Sequence, residues 1–182
     1  SVFPIKVEYM VTIAGPYTCS VFMNGIPISS SSFGVAISPA VSSQRESIIQ
    51  GDGLSNHVAG DRVSVFVSVK DMYGNGRTFS TESVNCIVLN RLTSRSFNIQ
   101  YETVDELGRY RFAYTITLSG NYAVTVRLDS LNSILSPYTL FISPGLTRGG
   151  FVTGSGVVAV IANYVARFRI HATDTFGNLK GV

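Results

Sequence analysis

The chain carries a long internal repeat, and a repeat of this length constrains the fold before any single residue does. Gly15-Pro16-Tyr17, the alternating Cys19 and Val21, Gly25-Ile26 and Phe33-Gly34-Val35-Ala36-Ile37-Ser38-Pro39 form the first copy. They return as Gly120-Asn121-Tyr122, Val124 and Val126, Ile134 and Tyr138-Thr139-Leu140-Phe141-Ile142-Ser143-Pro144. Gly15 to Gly120, Tyr17 to Tyr122 and Pro39 to Pro144 are each 105 residues apart. A second pair, Asp71-Met72-Tyr73-Gly74-Asn75 and Asp174-Thr175-Phe176-Gly177-Asn178, lies 103 apart. That period is a whole β-sandwich, not a short solenoid unit. The phases divide the 182 residues into three parts. Residues 1–39 hold the closing strands of one sandwich, 40–144 a complete sandwich, and 145–182 the opening strands of another. The chain is therefore expected to be a piece of a longer tandem array, starting and stopping inside domains.

Within each part the apolar residues alternate with a period of two. Val63, Val65, Val67 and Val69 share a face opposite Ser64, Phe66, Ser68 and Lys70. Phe168, Ile170 and Ala172 oppose Arg167, Arg169 and His171. Tyr122, Val124 and Val126 oppose Ala123, Thr125 and Arg127, and Tyr138, Leu140 and Ile142 oppose Thr139, Phe141 and Ser143. One apolar and one polar face is the signature of antiparallel sheet packed on one side. No segment shows a sustained helical period with caps. The fold class is all-β, with tandem antiparallel β-sandwiches. Seven strands are predicted in the complete repeat, at 44–50, 61–70, 78–89, 95–104, 109–117, 121–128 and 138–143. Asp129 to Ser136 is read as the hairpin to the last of them, and Pro39 and Pro144 as strand terminators.

Charged residues make up only 14% of the chain, with 45% hydrophobic, so the sequence folds but presents little charge. The net charge of +3 is too small and too scattered for a nucleic-acid reader. The two basic pairs, Arg109 with Arg111 and Arg167 with Arg169, read as solvated strand faces. No apolar run approaches the roughly 20 residues of a membrane-spanning helix. None of the Asn residues sits in a glycosylation sequon, which leans towards an intracellular setting.

No catalytic, cofactor or metal site is legible. Cys19 and Cys86 fall at inward positions of different repeats and read as small buried hydrophobes, not as a disulfide. His57 and His171 have no ligand at zinc spacing. Gly154-Ser155-Gly156 precedes no helix, so it is neither a nucleophile elbow nor a phosphate loop. Asp52, Asp61 and Asp71 offer one carboxylate per turn, fewer than calcium requires. An enzyme is not expected, nor a small-molecule substrate.

The sequence resembles filamin-type immunoglobulin-like repeats. The closing half of that pattern is Gly120-Asn121-Tyr122, then alternating Val, then Ser136-Pro137-Tyr138 to Pro144. The opening half is Gly51-Asp52-Gly53-Leu54, a strand, and Asp71-x-x-Gly74-Asn75. Two departures stand out: Ser31-Ser32-Phe33 lacks the usual Pro, and Gly154-Ser155-Gly156-Val157 replaces the Gly-x-Gly-Leu step. The resemblance implies partner binding by strand addition in a groove between the third and fourth strands. Carried onto this chain, the edge residues are Ser83, Val84, Asn85, Cys86, Ile87 and Val88, with Phe97 and Ile99 facing them. That third strand bears neither Lys nor Pro, the usual deterrents at a free edge. A neighbouring repeat, or another chain, covering the same edge is the other reading. The expected function is a non-enzymatic scaffold that binds other proteins in a cytoskeletal or ciliary (axonemal) assembly. The alternative is an extracellular adhesion array, as in gamete-surface proteins with such repeats.

Overall fold

The computed structural model describes residues 4–77, 83–105, 108–129, 131–132 and 136–181. The first segment holds β1 (Gly15–Cys19), β2 (Phe22–Met23), β3 (Ile26–Pro27) and β4 (Phe33–Ile37). A central block follows with β5 (Ser42–Gln50), β6 (His57–Val58), β7 (Arg62–Asp71), β8 (Val84–Asn90), β9 (Ser96–Ile99), β10 (Tyr101–Val104), β11 (Arg109–Thr115), β12 (Gly120–Leu128), β13 (Leu131–Asn132) and β14 (Tyr138–Ser143). The last segment contributes β15 (Thr147–Thr153) and β16 (Arg169–Asp174). Among the described residues there is no α-helix, only short 3-10 turns at Asp52–Leu54 and Ser155–Val157. The fold is all β, as the period-two pattern requires.

The central block is a sandwich of two sheets. One has the order β10-β11-β7-β5, and the other β6-β14-β12-β8-β9 with β13 added to β12. Every pairing is antiparallel except β14 with β6, which run parallel. Val at every second position of β7 suits a pleated surface buried on one side. Val65, Val67 and Val69 are buried and meet Cys86, Val88, Val124, Val126, Leu140 and Ile142 from the other sheet. Phe112 and Tyr122 are the largest fully buried side chains of this core. Each full burial of such a residue contributes about 1.5–3 kcal/mol.

One predicted strand is divided. Residues 95–104 read as continuous, yet Ser96–Ile99 pairs with β8 in one sheet and Tyr101–Val104 pairs with β11 in the other. The chain changes sheets at Gln100. Local alternation does not reveal the switch, because both halves have strand character and only the partner differs. The first part of the strand predicted at 78–89 lies partly outside the described residues; its described part runs Val84–Asn90.

The 3-10 turns also repair an expected departure. Gly51 and Gly154 have φ of 135° and 129°, and each opens a turn of three residues. A Cβ on Gly51 would lie 2.1 Å from the Ser64 carbonyl oxygen, and one on Gly154 would lie 2.5 Å from that of Arg167. Gly154-Ser155-Gly156-Val157 thus keeps the step despite its departure from Gly-x-Gly-Leu. The glycines carry it, and Val substitutes for Leu.

The flanking segments are open. The first is a two-stranded pair of β1 with β4 and a small hairpin of β2 with β3; the last is the pair β15 with β16. Among their described residues only Asp174 and Asn178 are buried. Ile170 occupies the strand position of Val67, 103 residues on, yet is 72% exposed against 2%.

Candidate functional site

The edge singled out from the sequence is partly closed. Cys86, Ile87, Val88 and Leu89 pair with Ile99, Asn98, Phe97 and Ser96 of β9. The free main-chain edge of this sheet therefore lies one strand further out, along Ser96–Ile99. Val84, Cys86 and Val88 point into the core, whereas Asn85 and Ile87 are half-buried on the outer face. Ser83 is tied by its amide to Asp129 Oδ1 at 3.0 Å and by its hydroxyl to Asn85 Nδ2 at 2.9 Å. Of the eight residues, Phe97 and Ile99 keep an aspect suited to a partner.

Beside them the sandwich opens. A cleft of about 330 Å³ lies between β9 and the end of β11. Its floor is Val88, Tyr114, Ile116 and Tyr122, all buried, and Phe97 and Leu118 stand at its rim, each 52% exposed. β10 pairs with β11 only at Tyr110, Arg111 and Phe112, so the stretch beyond them on that side is left without a β10 partner. The cleft is thus floored by apolar side chains and bordered on one side by β9, whose outer edge has no ladder partner among the described residues, while on the other side the Ile116, Thr117 and Leu118 carbonyls are already bonded, to the Gly60 amide, Asn178 and Tyr122. Asn90, at its base, donates through Nδ2 to Tyr122 Oη at 2.9 Å and accepts the Leu92 and Thr93 amides on Oδ1. A buried polar group so satisfied holds the β8–β9 turn in one conformation.

The remaining chemistry-bearing residues stay apart. Cys86 is fully buried and burial pushes its thiol up to about 12, so it is an inert core residue. Cys19 is half-buried, because no second sheet faces β1, and both cysteines are free. His57 Nδ1 lies 2.9 Å from the Ser55 carbonyl, and His171 stacks on Phe151 with ring centroids 4.6 Å apart. No cluster of three metal-ligating side chains occurs among the described residues. Asp52 accepts the Ser64 amide at 2.6 Å and Asp61 the Val58 amide at 3.0 Å. Arg109 pairs with Asp105 at 2.6 Å, and Arg111 lies over the Phe66 ring and reaches Ser64 Oγ at 3.3 Å. Both arginines are half-buried against their own sheet face.

The repeated Asp-x-x-Gly-Asn turn does more than turn. Asp71 Oδ1 accepts the Tyr73 and Asn75 amides, and Oδ2 accepts the Ala40 amide and Asn75 Nδ2, at 2.8–2.9 Å. Asn75 then reaches out of its own block. Its Nδ2 donates to the Thr12 carbonyl at 2.8 Å, and its Oδ1 accepts the Ala14 amide at 2.9 Å. The second copy repeats every bond. Asp174 takes the Phe176, Asn178 and Gly145 amides and Asn178 Nδ2. Asn178 grips the Thr117 carbonyl at 2.7 Å and the Ser119 amide at 2.9 Å. Sequence reasoning recognised both turns but assigned them no contact outside the turn.

The buried Asp174 carboxylate is an acid-sensitive point. Burial alone would raise its pKa, but the bonds from Asn178 Nδ2 and the Gly145, Asn178 and Phe176 amides outweigh it and hold it at about 2. The folded value is depressed, so the stabilisation is complete above the ordinary value near 3.8 and fades as the pH falls towards about 2. The Gly145 and Phe176 amide resonances are expected to titrate near pH 2 in an NMR series from pH 6 to 1.5. A midpoint near 4 would show that these bonds do not form in solution.

No protein-family model matches the chain, and no curated protein matches it. Solved structures do. The Escherichia coli adhesin FdeC superposes with a TM-score of 0.58 at 15% identity, over 90% of this chain and 52% of that one. Invasin, a bacterial integrin-binding protein, gives 0.56 at 15% over 91% of this chain and 33% of its own. The filamin domain of Lin-41 gives 0.49 at 18%, over 58% of this chain and all of that domain. The chain spans about half of the FdeC chain and a third of invasin. At these identities the likeness shows the fold: a run of immunoglobulin-like β-sandwich repeats.

Proposed function

We propose that this chain is a stretch of a non-enzymatic, extracellular adhesion array of immunoglobulin-like repeats, laid out as 1–39, 40–144 and 145–182, that binds other proteins. The observation that carries the reading is the cleft beside Phe97. The open outer edge of β9 beside an apolar floor is suited to an extended peptide, which adds as a strand and seats an apolar side chain. The outer edge of Ser96–Ile99 is the adding edge, with Phe97 and Ile99 selecting the side chain and Cys86 to Leu89 as the strand behind them. The setting is supported by the fold neighbours that are adhesins and by the low charge of the chain. The cytoskeletal or ciliary setting expected from the filamin resemblance is not where those neighbours come from.

Protease treatment of intact source cells, followed by mass spectrometry of peptides from this chain, tests the setting. Loss of the peptides without cell lysis is the expected result. Survival of the peptides, with recovery in a detergent-resistant cytoskeletal pellet, would return the chain to the intracellular scaffold reading.

A further inference from the structure

The two Asp-x-x-Gly-Asn turns grip the same target in the same way. Each target is a three-residue backbone segment, residues 12–14 in one case and 117–119 in the other, 105 apart. The outer carbonyl of Thr12 or Thr117 and the outer amide of Ala14 or Ser119 go to the Asn of the following block. The middle carbonyl, that of Ile13 or Leu118, accepts the hydroxyl of Tyr17 or Tyr122 at 3.0 and 2.9 Å. The segment is thus held by a tyrosine of its own block and by an asparagine of the next. The Asn side chain makes the pair of bonds that a peptide group of an added strand would make, one to a carbonyl and one to an amide two residues on.

We infer that this turn is the joint of the array: a docking element that recognises the main chain of the preceding repeat and fixes the angle between neighbours. It rests on the tandem reading of the chain and not on the peptide-binding cleft. Three observations converge on it. The joint binds only main-chain atoms of its target, so it tolerates any side chains there and can recur between unlike repeats. Its carboxylate also takes the first amide after the strand-ending proline, Ala40 after Pro39 and Gly145 after Pro144, so one group orders the Asn and the linker together. At the second joint, Gly60 leaves room for the Phe176 ring, which a Cβ would approach to 2.7 Å. A linker so tied does not act as a hinge. The partner of this surface is the segment preceding the tyrosine-bearing strand of another repeat, and the array it builds is a stiff rod.

Amide hydrogen exchange on the whole chain, comparing wild type with Asn178→Ala, tests the joint. Asn178 belongs to the last segment, so its loss leaves the central sandwich folded, which the β12 amides report in the same spectra. Ser119 is expected to be protected in the wild type and to exchange at least about tenfold faster in the variant, the size expected for one lost hydrogen bond opening locally. 15N relaxation of Arg169 to Asp174 is expected to shift towards faster, independent tumbling. Protection of Ser119 in the wild type that survives Asn178→Ala, with unchanged relaxation, would overturn the joint while leaving the tandem reading in place. Fast exchange of Ser119 already in the wild type would show that the last segment does not dock, and the tandem reading would fall with the joint. Asn75→Ala read at Ala14 repeats the test at the first joint.

Discussion

Phe112→Ala is expected to lower the unfolding free energy of the central sandwich by about 3–5 kcal/mol. Phe112 is 0% exposed and sits on β11 in register with Val65 of β7. Its ring meets Tyr101 edge-on at 6.3 Å between centroids. Truncation leaves a void between two sheets that are each pinned by their own ladders, so the walls cannot close on it. Urea unfolding followed by circular dichroism measures the loss. Phe141→Ala is the companion. Phe141 lies on β14, is 45% exposed and faces away from the core, so its truncation is expected to stay within about 0.5 kcal/mol. Equal losses in the two variants would mean that the core lies elsewhere.

Gly51→Ala is expected to cost about 2–6 kcal/mol, from strain of about 1–3 in a backbone region that only glycine enters readily and overpacking of about 1–3. At φ 135° the new methyl would lie 2.1 Å from the Ser64 carbonyl oxygen and 3.1 Å from Val65 Cα, both main chain. Neither can move without opening β7 where it pairs with β11 at Ser64 and Ala113. The same shift would break the bond from the Ser64 amide to Asp52. Gly74→Ala separates the two contributions. Gly74 has φ 85° with no atom within 4 Å of the new methyl, so only the strain of about 1–2 kcal/mol is expected. Thermal melts of both variants beside wild type resolve the difference.

The strands were legible because their information is local. Val63 to Val69 reads as a half-buried strand in any context, and the structure buries those four Val side chains. Tyr138-Thr139-Leu140-Phe141-Ile142-Ser143 alternates in sequence and in exposure alike. Like sequences adopt like local geometry across the repeat: Tyr17 and Tyr122 both donate to a carbonyl four residues back. The candidate site was less legible. Cys86 and Val88 pair with Ile99 and Phe97, but the strand that closes on Cys86 to Leu89 is half of what alternation reads as a single strand.

The sequence by itself determined the all-β class, the strand faces and the glycine-based turns, because side-chain alternation and backbone conformation are properties of a few neighbouring residues. Only the tertiary structure decided which faces become core and which edges stay open. Val67 and Ile170 have the same place in the same kind of strand, and one is buried while the other is exposed because one has a second sheet over it. Asn75 and Asn178 read as turn residues until the folded chain sets a backbone segment more than 55 residues earlier against each. Burial and long-range hydrogen bonding depend on what arrives from elsewhere in the chain, and that is settled in three dimensions.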